Sequence, residues 1–179
     1  SLITVRAYHN NPELVEADRE ARRSAMGNIY KNYVERCFKA GAMDFDDLLL
    51  KTNELLNRFP DVLAKYQDRF RYILVDEYQD TNHSQYLIVR ALADKFQNLC
   101  VVGDDAQSIY AFRGANIENI LNFHKDYPDA KTYRLEQNYR STECIVEAAN
   151  SVINHNQNKL DKTVWTANEQ GEKIVIHRS

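Results

Sequence analysis

Apolar positions recur at helical spacing between residues 12 and 60, and this pattern predicts two helices. The first begins at Pro12, behind the capping residue Asn11, and continues to Gly41, which can end a helix in a left-handed conformation. Its apolar face comprises Leu14, Ala17, Ala21, Ala25, Ile29, Val34, Cys37 and Phe38. The second helix begins near Asp44 and ends before Pro60.

Continuous apolar runs replace the helical spacing after Arg71. Residues 72–75 and 99–103 are such runs, which are typical of strands buried in a parallel sheet, and residues 131–135 form a third predicted strand. Helical patterns lie between these runs, including a short one around residues 116–123. Strands that alternate with helices predict an α/β fold, in which a parallel sheet carries helices on both faces.

Two further elements are predicted towards the end of the chain. Ser141 is placed to cap a helix with apolar residues on one face. Residues 173–177, which read Lys-Ile-Val-Ile-His, look like the opening strand of another unit.

Composition narrows the class of protein. Of the 179 residues, 44% are hydrophobic and 27% charged, which is enough to bury a core. No apolar run approaches the roughly 20 residues that cross a bilayer, so no membrane association is expected. The three cysteines lack disulfide or metal spacing, which favours reduced thiols and a cytoplasmic location. Since the net charge is −3, any nucleic acid would be held by a local groove and stacking side chains rather than by a strongly basic face.

An acidic pair, Asp76 and Glu77, follows the first predicted strand. Because α/β sheets bind ligands at the carboxyl ends of their strands, adjacent acids there indicate a bound cation or a proton transfer. A Walker B motif has this arrangement, with one carboxylate on magnesium and the next on the attacking water. The alternative is that one of these acids only caps the following helix.

Two more polar clusters follow the other predicted strands. Residues 103–110 read Gly-Asp-Asp-Ala-Gln-Ser-Ile-Tyr, and residues 135–141 read Leu-Glu-Gln-Asn-Tyr-Arg-Ser. The amide of Gln107 could reach a terminal phosphate, or it could cap a turn. Since parallel strands end at one edge of a sheet, the three clusters are expected to converge there.

In this order and spacing, the clusters resemble helicase motifs II, III and IV of the UvrD/Rep/PcrA family, within superfamily 1A. The matching stretches are Asp-Glu-Tyr-Gln-Asp at residues 76–80, residues 103–110, and Gln-Asn-Tyr-Arg-Ser at residues 137–141. The flanking residues 44–48 and 165–168 are also similar, so the resemblance covers essentially the whole chain. It implies an ATP-driven motor that moves 3′-to-5′ along single-stranded DNA and unwinds duplex, in DNA repair or replication.

The resemblance also implies a role for each residue of a nucleotide site. Asp76 would hold Mg²⁺, and Glu77 would orient and deprotonate the water that attacks the γ-phosphate of ATP. Gln107 would contact this phosphate and the water, and so report the nucleotide state to the DNA site. Tyr139 would stack on the adenine, and Arg140 would reach the γ-phosphate across a domain cleft. The alternative for Arg140 is a surface ion pair with a nearby glutamate.

The segment after the second cluster is the predicted DNA contact and comprises Tyr110, Phe112 and Arg113. An aromatic ring among polar and small residues can stack on an unpaired base of any kind. The family more often has tryptophan at position 112, and phenylalanine keeps the stacking face with less area. The alternatives are that Phe112 belongs to the core and that Arg113 pairs with a carboxylate. The expected partners are single-stranded DNA and single/double-strand junctions, and the sequence names no protein partner.

A phosphate-binding loop of the form Gly-x-x-x-x-Gly-Lys-Ser/Thr does not occur in the 179 residues. We therefore expect an internal segment of a larger helicase that is inactive by itself. Residues 1–40 would be the end of the helical accessory subdomain 1B, residues 41–140 the second half of the RecA-like motor subdomain 1A, and residues 141–179 the start of the RecA-like subdomain 2A. The alternatives are the helicase portion of a helicase-nuclease and a DNA-binding or regulatory module without hydrolysis.

Overall fold

A computed structural model of the chain describes residues 3–110, 114–156, 160 and 162–177. Helices and a small parallel sheet give a mixed α/β architecture, as the sequence predicts. The chain divides into two compact units. The first contains the residues up to Val75 together with Asn82–Cys100, and the second contains Asp76–Thr81 together with the residues from Val101 onward.

The first unit is built from six helices in its described residues. They are α1 (Val5–His9), α2 (Pro12–Glu20), α3 (Met26–Lys39), α4 (Phe45–Arg58), α5 (Pro60–Arg69) and α6 (His83–Ala93). Helix α4 packs against α5 and α6. The Asn53 side chain of α4 donates to the Ser84 hydroxyl of α6 (2.9 Å), and Gln67 of α5 donates to the Ala91 carbonyl (2.8 Å).

The single long helix predicted from Pro12 to Gly41 is wrong, because the chain forms α2 and α3 instead. Helix α2 ends where Arg22 adopts a left-handed conformation (φ 58°) and the Arg23 amide bonds back to the Asp18 carbonyl (2.6 Å). This is the Schellman arrangement, which satisfies the last carbonyls of a helix. Gly41 ends α3 in the same conformation (φ 62°), so that part of the prediction is confirmed.

The second predicted helix is confirmed as α4. Asp44 caps it through a reciprocal pair of hydrogen bonds with Asp47, the arrangement called a capping box. The sequence patterns did not reveal α1 or α5. Helix α5 begins directly at Pro60. In the sequence, this proline indicates the end of α4, but proline is equally suited to the first position of a new helix.

The sheet contains two strands in the described residues, β1 (Ile73–Val75) and β2 (Leu99–Val101), which lie side by side in parallel. Both were predicted. Their predicted burial is wrong, because the Leu74 side chain at the centre of β1 is 78% exposed and Cys100 at the centre of β2 is also exposed. Each strand therefore has one covered face and one open face.

Two other predicted strands are wrong. Residues 131–135 and residues 173–177 are described, and both have irregular backbone. A strand needs a hydrogen-bonded neighbour, and neither segment has one in the described part of the chain. Leu135 is accordingly 87% exposed.

Three helices follow in the described residues of the second unit: α7 (Glu118–Leu121), α8 (Phe123–Asp126) and α9 (Glu143–Ile153). The one helix predicted near residues 116–123 is thus two. Helix α9 is preceded by Thr142 rather than by the predicted cap Ser141, and no side-chain hydrogen bond caps it. No helix in the described ranges is both long and apolar enough to cross a membrane.

Candidate active site

The acidic pair lies where β1 ends, in the second unit. Asp76 and Glu77 are both exposed, and the Glu77 amide donates to the Asp76 carboxylate (2.9 Å). Glu77 adopts a left-handed backbone conformation (φ 50°, ψ 42°), which costs energy for any residue with a Cβ atom. Such conformations cluster at functional sites. The alternative was that one of these acids caps the following helix. Glu77 does not do so, because its side chain makes no capping hydrogen bond to the 3-10 turn Tyr78–Asp80 that follows it.

Directly after the acids, Tyr78 and Gln79 are the two most deeply buried large side chains of the described residues, each 1% exposed. The Tyr78 ring packs edge-on against Phe123 of α8, with 5.8 Å between ring centroids. The Tyr78 amide donates to the Val102 carbonyl (2.9 Å), which joins the turn after β1 to the residue after β2. The acidic turn is thus anchored in the core of the second unit.

The second polar cluster is bonded to the first through Gln79. The Gln79 amide nitrogen donates to the Glu77 carboxylate (2.8 Å), and its amide oxygen accepts from the Asp104 backbone nitrogen (3.0 Å). The Ser108 hydroxyl also donates to the Gln79 carbonyl, at 3.4 Å. The structure therefore brings together two of the three predicted clusters.

Gln107 lies in the 3-10 turn Asp105–Gln107, close to its own chain neighbours. Its amide donates to the Asp104 carboxylate (2.8 Å), and this carboxylate also accepts from the Ala106 amide (3.0 Å). In this arrangement Gln107 supports the turn, as the alternative interpretation of the sequence holds. Its role toward a phosphate stays a prediction.

Lys162 bridges the two aspartates of the second cluster. Its ammonium group bonds to Asp104 and, at 2.8 Å, to Asp105, whose side chain is 2% exposed. The second oxygen of Asp105 accepts from the Leu160 amide (2.7 Å). Burial alone would raise the pKa of Asp104, but the bonds from Lys162 and Gln107 outweigh burial and lower that pKa. Burial alone would lower the pKa of Lys162, and the two carboxylates raise that pKa instead.

The third cluster, residues 137–141, is bonded to Trp165 and Asn168, which lie later in the chain. Gln137 and Trp165 form an isolated parallel bridge, and the Asn168 side chain donates to the carbonyls of Tyr139 (3.2 Å) and Ser141 (3.0 Å). Tyr139 is 78% exposed, with its hydroxyl bonded to the Gln137 side chain (2.9 Å). This ring lies open on the surface of the second unit.

Arg140 is exposed, and its backbone nitrogen bonds to the Asn138 side chain (2.9 Å). Tyr110 is 39% exposed. Phe112 and Arg113, the other two predicted DNA contacts, lie outside the described residues.

Sequence reasoning gave no role to Gln79 or to Lys162. The polar run after the acids was a signal for Gln79, whereas no local pattern marks Lys162, which lies 57 residues beyond Asp105 in the chain.

The fold and the site define an α/β protein whose acidic and amide side chains meet where two parallel strands end. The chain belongs to the UvrD/REP helicase family. Residues 4–128 match the UvrD/REP helicase N-terminal domain, and residues 133–179 match the UvrD-like helicase C-terminal domain. The family resemblance inferred from the motifs is confirmed.

Several bacterial proteins named ATP-dependent DNA helicase PcrA are similar to this chain. The protein of Staphylococcus epidermidis is 54% identical over 154 residues, and that of Bacillus subtilis is 54% identical over 153 residues. Each alignment covers 86% of this chain and 21% of the relative. The chain therefore spans about a fifth of the length of the curated relatives it matches.

Proposed function

We propose that this chain is part of an ATP-dependent DNA helicase, which couples ATP hydrolysis to 3′-to-5′ movement on single-stranded DNA and to duplex unwinding in repair or replication. The observation that carries the proposal is the exposed acidic pair at the end of β1, joined through Gln79 to the second polar turn. Membership of the UvrD/REP helicase family and similarity to PcrA helicases support it.

In this proposal the second half of the RecA-like subdomain 1A comprises residues 41–140. Residues 1–40 end the accessory subdomain 1B, and residues 141–179 begin subdomain 2A. The parallel pairing of β1 with β2, and the position of the acids directly after β1, support the RecA-like assignment.

Asp76 is the proposed Mg²⁺ ligand. Mg²⁺ prefers oxygen donors and is usually held by one or two carboxylates together with substrate phosphates, rather than by a cage of protein side chains. The exposed carboxylate of Asp76 fits this need, and the described residues contain no larger group of metal-binding side chains. Bound there, the ion would neutralise charge that develops on the phosphates.

Glu77 is the proposed general base. Its carboxylate is exposed, so a water molecule can reach it, and one of its oxygens is fixed by the Gln79 amide. Held in this way, the carboxylate would orient the attacking water and accept its proton. The water oxygen would bond to the γ-phosphorus as the bond from that phosphorus to the bridging β-phosphate oxygen breaks and ADP leaves.

Tyr139, Arg140 and Gln107 are proposed to complete the nucleotide site. The exposed ring of Tyr139 presents a face on which adenine can stack. Arg140, which is also exposed, carries a guanidinium suited to the γ-phosphate, and Gln107 would contact this phosphate and the water. Since the Gln107 amide carries two N–H donors, it would reach the phosphate either by leaving Asp104 or with its second N–H.

Tyr110, Phe112 and Arg113 are the proposed contacts to single-stranded DNA near its junction with duplex. Phe112→Ala in the full-length protein should weaken binding of mixed-sequence oligonucleotides by about 1–3 kcal/mol, because base stacking is lost. Fluorescence anisotropy measures the affinity. An unchanged affinity in a folded variant would assign Phe112 to the core.

Hydrolysis is tested by Glu77→Gln in the full-length protein that contains this segment. The amide keeps the shape of the carboxylate and cannot accept a proton, so DNA-stimulated ATP turnover should fall by about 10²-fold or more. Nucleotide affinity, measured with a fluorescent ATP analogue, should change little.

A wild-type protein that binds DNA and shows no turnover would support the alternative of a regulatory module. A Glu77→Gln variant with wild-type turnover would remove Glu77 from the catalytic role.

A further inference from the structure

We propose that Gln79 is the positioning residue for the Glu77 carboxylate, and that it ties this carboxylate to the turn that carries Gln107. The inference rests on the proposed role of Glu77 as general base and extends it to a residue that does not touch the substrate. The structure supplies three observations for it: the burial of Gln79, its two hydrogen bonds, and the glycine packed against it.

The two ends of the Gln79 amide have different partners. The nitrogen donates to a Glu77 oxygen (2.8 Å), and the oxygen accepts from the Asp104 backbone nitrogen (3.0 Å). A primary amide of this length serves both partners, whereas an ionised carboxylate cannot donate and an apolar chain can do neither. Since Gln79 is 1% exposed, water does not readily replace either bond.

Gly103 makes room for this amide. A Cβ atom at position 103 would lie 2.6 Å from the Gln79 side-chain oxygen and 2.9 Å from the Ile120 side chain. The backbone of Gly103 is not in the left-handed region, so any residue could adopt its conformation. The close approach of Gln79 therefore explains why the smallest residue stands here.

The Gln79 bond matters because Glu77 is exposed, and an exposed side chain can change rotamer unless a partner holds it. A general base works only when its oxygen is held within hydrogen-bond reach of the proton it takes. The same amide also accepts a hydrogen bond from the Asp104 backbone nitrogen, in the turn that carries Gln107. A displacement of that turn would therefore move the base, and Gln79 couples the two.

The test uses Gln79→Glu in the full-length protein. The new carboxylate would face Glu77, and two adjacent carboxylates retain a shared proton to higher pH. We expect the acidic limb of the pH profile of DNA-stimulated turnover to move up by about one pH unit or more. At optimal pH, turnover should fall by about 10- to 100-fold, the equivalent of a lost hydrogen bond to a charged group.

Gln85→Glu is the matched control. Gln85 lies one turn into α6, where its side-chain oxygen accepts from the Asn82 backbone nitrogen, and glutamate fills this capping role equally well. It makes the same chemical change without facing Glu77. Its turnover and its pH profile should match the wild type.

Gly103→Ala is a second variant that displaces the Gln79 amide without altering any proposed catalytic group. We expect a lower turnover at unchanged ATP affinity and an unshifted pH profile, because no new charge is introduced. This variant keeps the proposal testable should Gln79→Glu not fold.

A normal pH profile and turnover in folded Gln79→Glu, together with normal turnover in Gly103→Ala, would overturn the positioning role. If Glu77→Gln is inactive in the same assay, the proposed function still stands. Wild-type turnover in Glu77→Gln would instead remove the general base, and with it the premise of this inference.

Discussion

At the residue scale, the bridge made by Lys162 is the most consequential contact that the sequence patterns could not reveal. It joins Asp104 and the buried Asp105 to a residue far along the chain. Removing the lysine would take away the cation that faces the Asp105 carboxylate, although the Leu160 amide would still donate to it. A buried charge that loses its partner is strongly destabilising.

Lys162→Met should therefore lower the free energy of unfolding by about 2–4 kcal/mol, as measured by urea denaturation. Lys95→Met is the matched control. Lys95 pairs with Asp68, and both side chains are substantially exposed, 43% and 61%. Lys95→Met should lower the free energy of unfolding by less than about 1 kcal/mol. Equal losses in the two variants would contradict a structural role for the Lys162 bridge.

The same bridge predicts a pH dependence. The pKa of Asp104 lies below its ordinary value of 3.8, so its contribution to stability is present above that pH and is lost as pH falls through the lowered pKa. The pKa of Lys162 lies above 10.5, so its contribution is present below that pH and is lost as pH rises through the raised pKa. The stability difference between wild type and Lys162→Met should be largest between these limits. A difference that stays constant into strong acid would contradict this account.

The site residues were partly predictable because strand ends of a parallel sheet converge. The three polar clusters are predicted to converge on that ground, and the bonds of Gln79 to Glu77 and Asp104 confirm the proximity of the first two. The side-chain partners themselves were not predictable. Whether Gln107 faces a phosphate or its neighbour Asp104 depends on a rotamer, which sequence spacing does not encode.

At the element scale, α2 and α3 show why one helix was predicted where two exist. Both helices end in the same left-handed arrangement, one at Arg22 and the other at Gly41. Glycine signals such an end because it has no Cβ atom to clash. An arginine does not indicate a helix end, so the helical spacing of apolar residues predicts one continuous helix across Arg22. The strand predicted at residues 131–135 failed for another reason, since pairing depends on a neighbour that the segment itself does not encode.

Helix α6 follows the acidic turn and depends on its cap. The Asn82 side-chain oxygen accepts from the Gln85 backbone nitrogen (3.0 Å), and the Gln85 side-chain oxygen accepts from the Asn82 backbone nitrogen (2.9 Å). Asn82→Ala should lower the free energy of unfolding by about 1 kcal/mol, whereas Asn82→Asp keeps the acceptor and should cost little. Thermal unfolding followed by circular dichroism compares the two. Equal stabilities of the two variants would show that the cap contributes nothing.

At the scale of the whole molecule, the 179 residues contain the two polar turns that we propose for hydrolysis and no phosphate-binding loop sequence. We expect the isolated chain to show no DNA-stimulated ATP turnover, because Asp76 and Glu77 can act only on phosphates that are already held. Calorimetry should give no ATP affinity tighter than about the millimolar range. Turnover that survives repurification and disappears in Glu77→Gln would contradict this expectation.

The proposed function makes this segment part of a motor that uses ATP to separate DNA strands. The most direct measurement is strand separation by the full-length protein on duplexes with either a 3′ or a 5′ single-stranded tail. We expect ATP-dependent separation of the 3′-tailed duplex, and none by Glu77→Gln although that variant still binds DNA. Separation without ATP, separation of the 5′-tailed duplex alone, or wild-type separation by Glu77→Gln would contradict it.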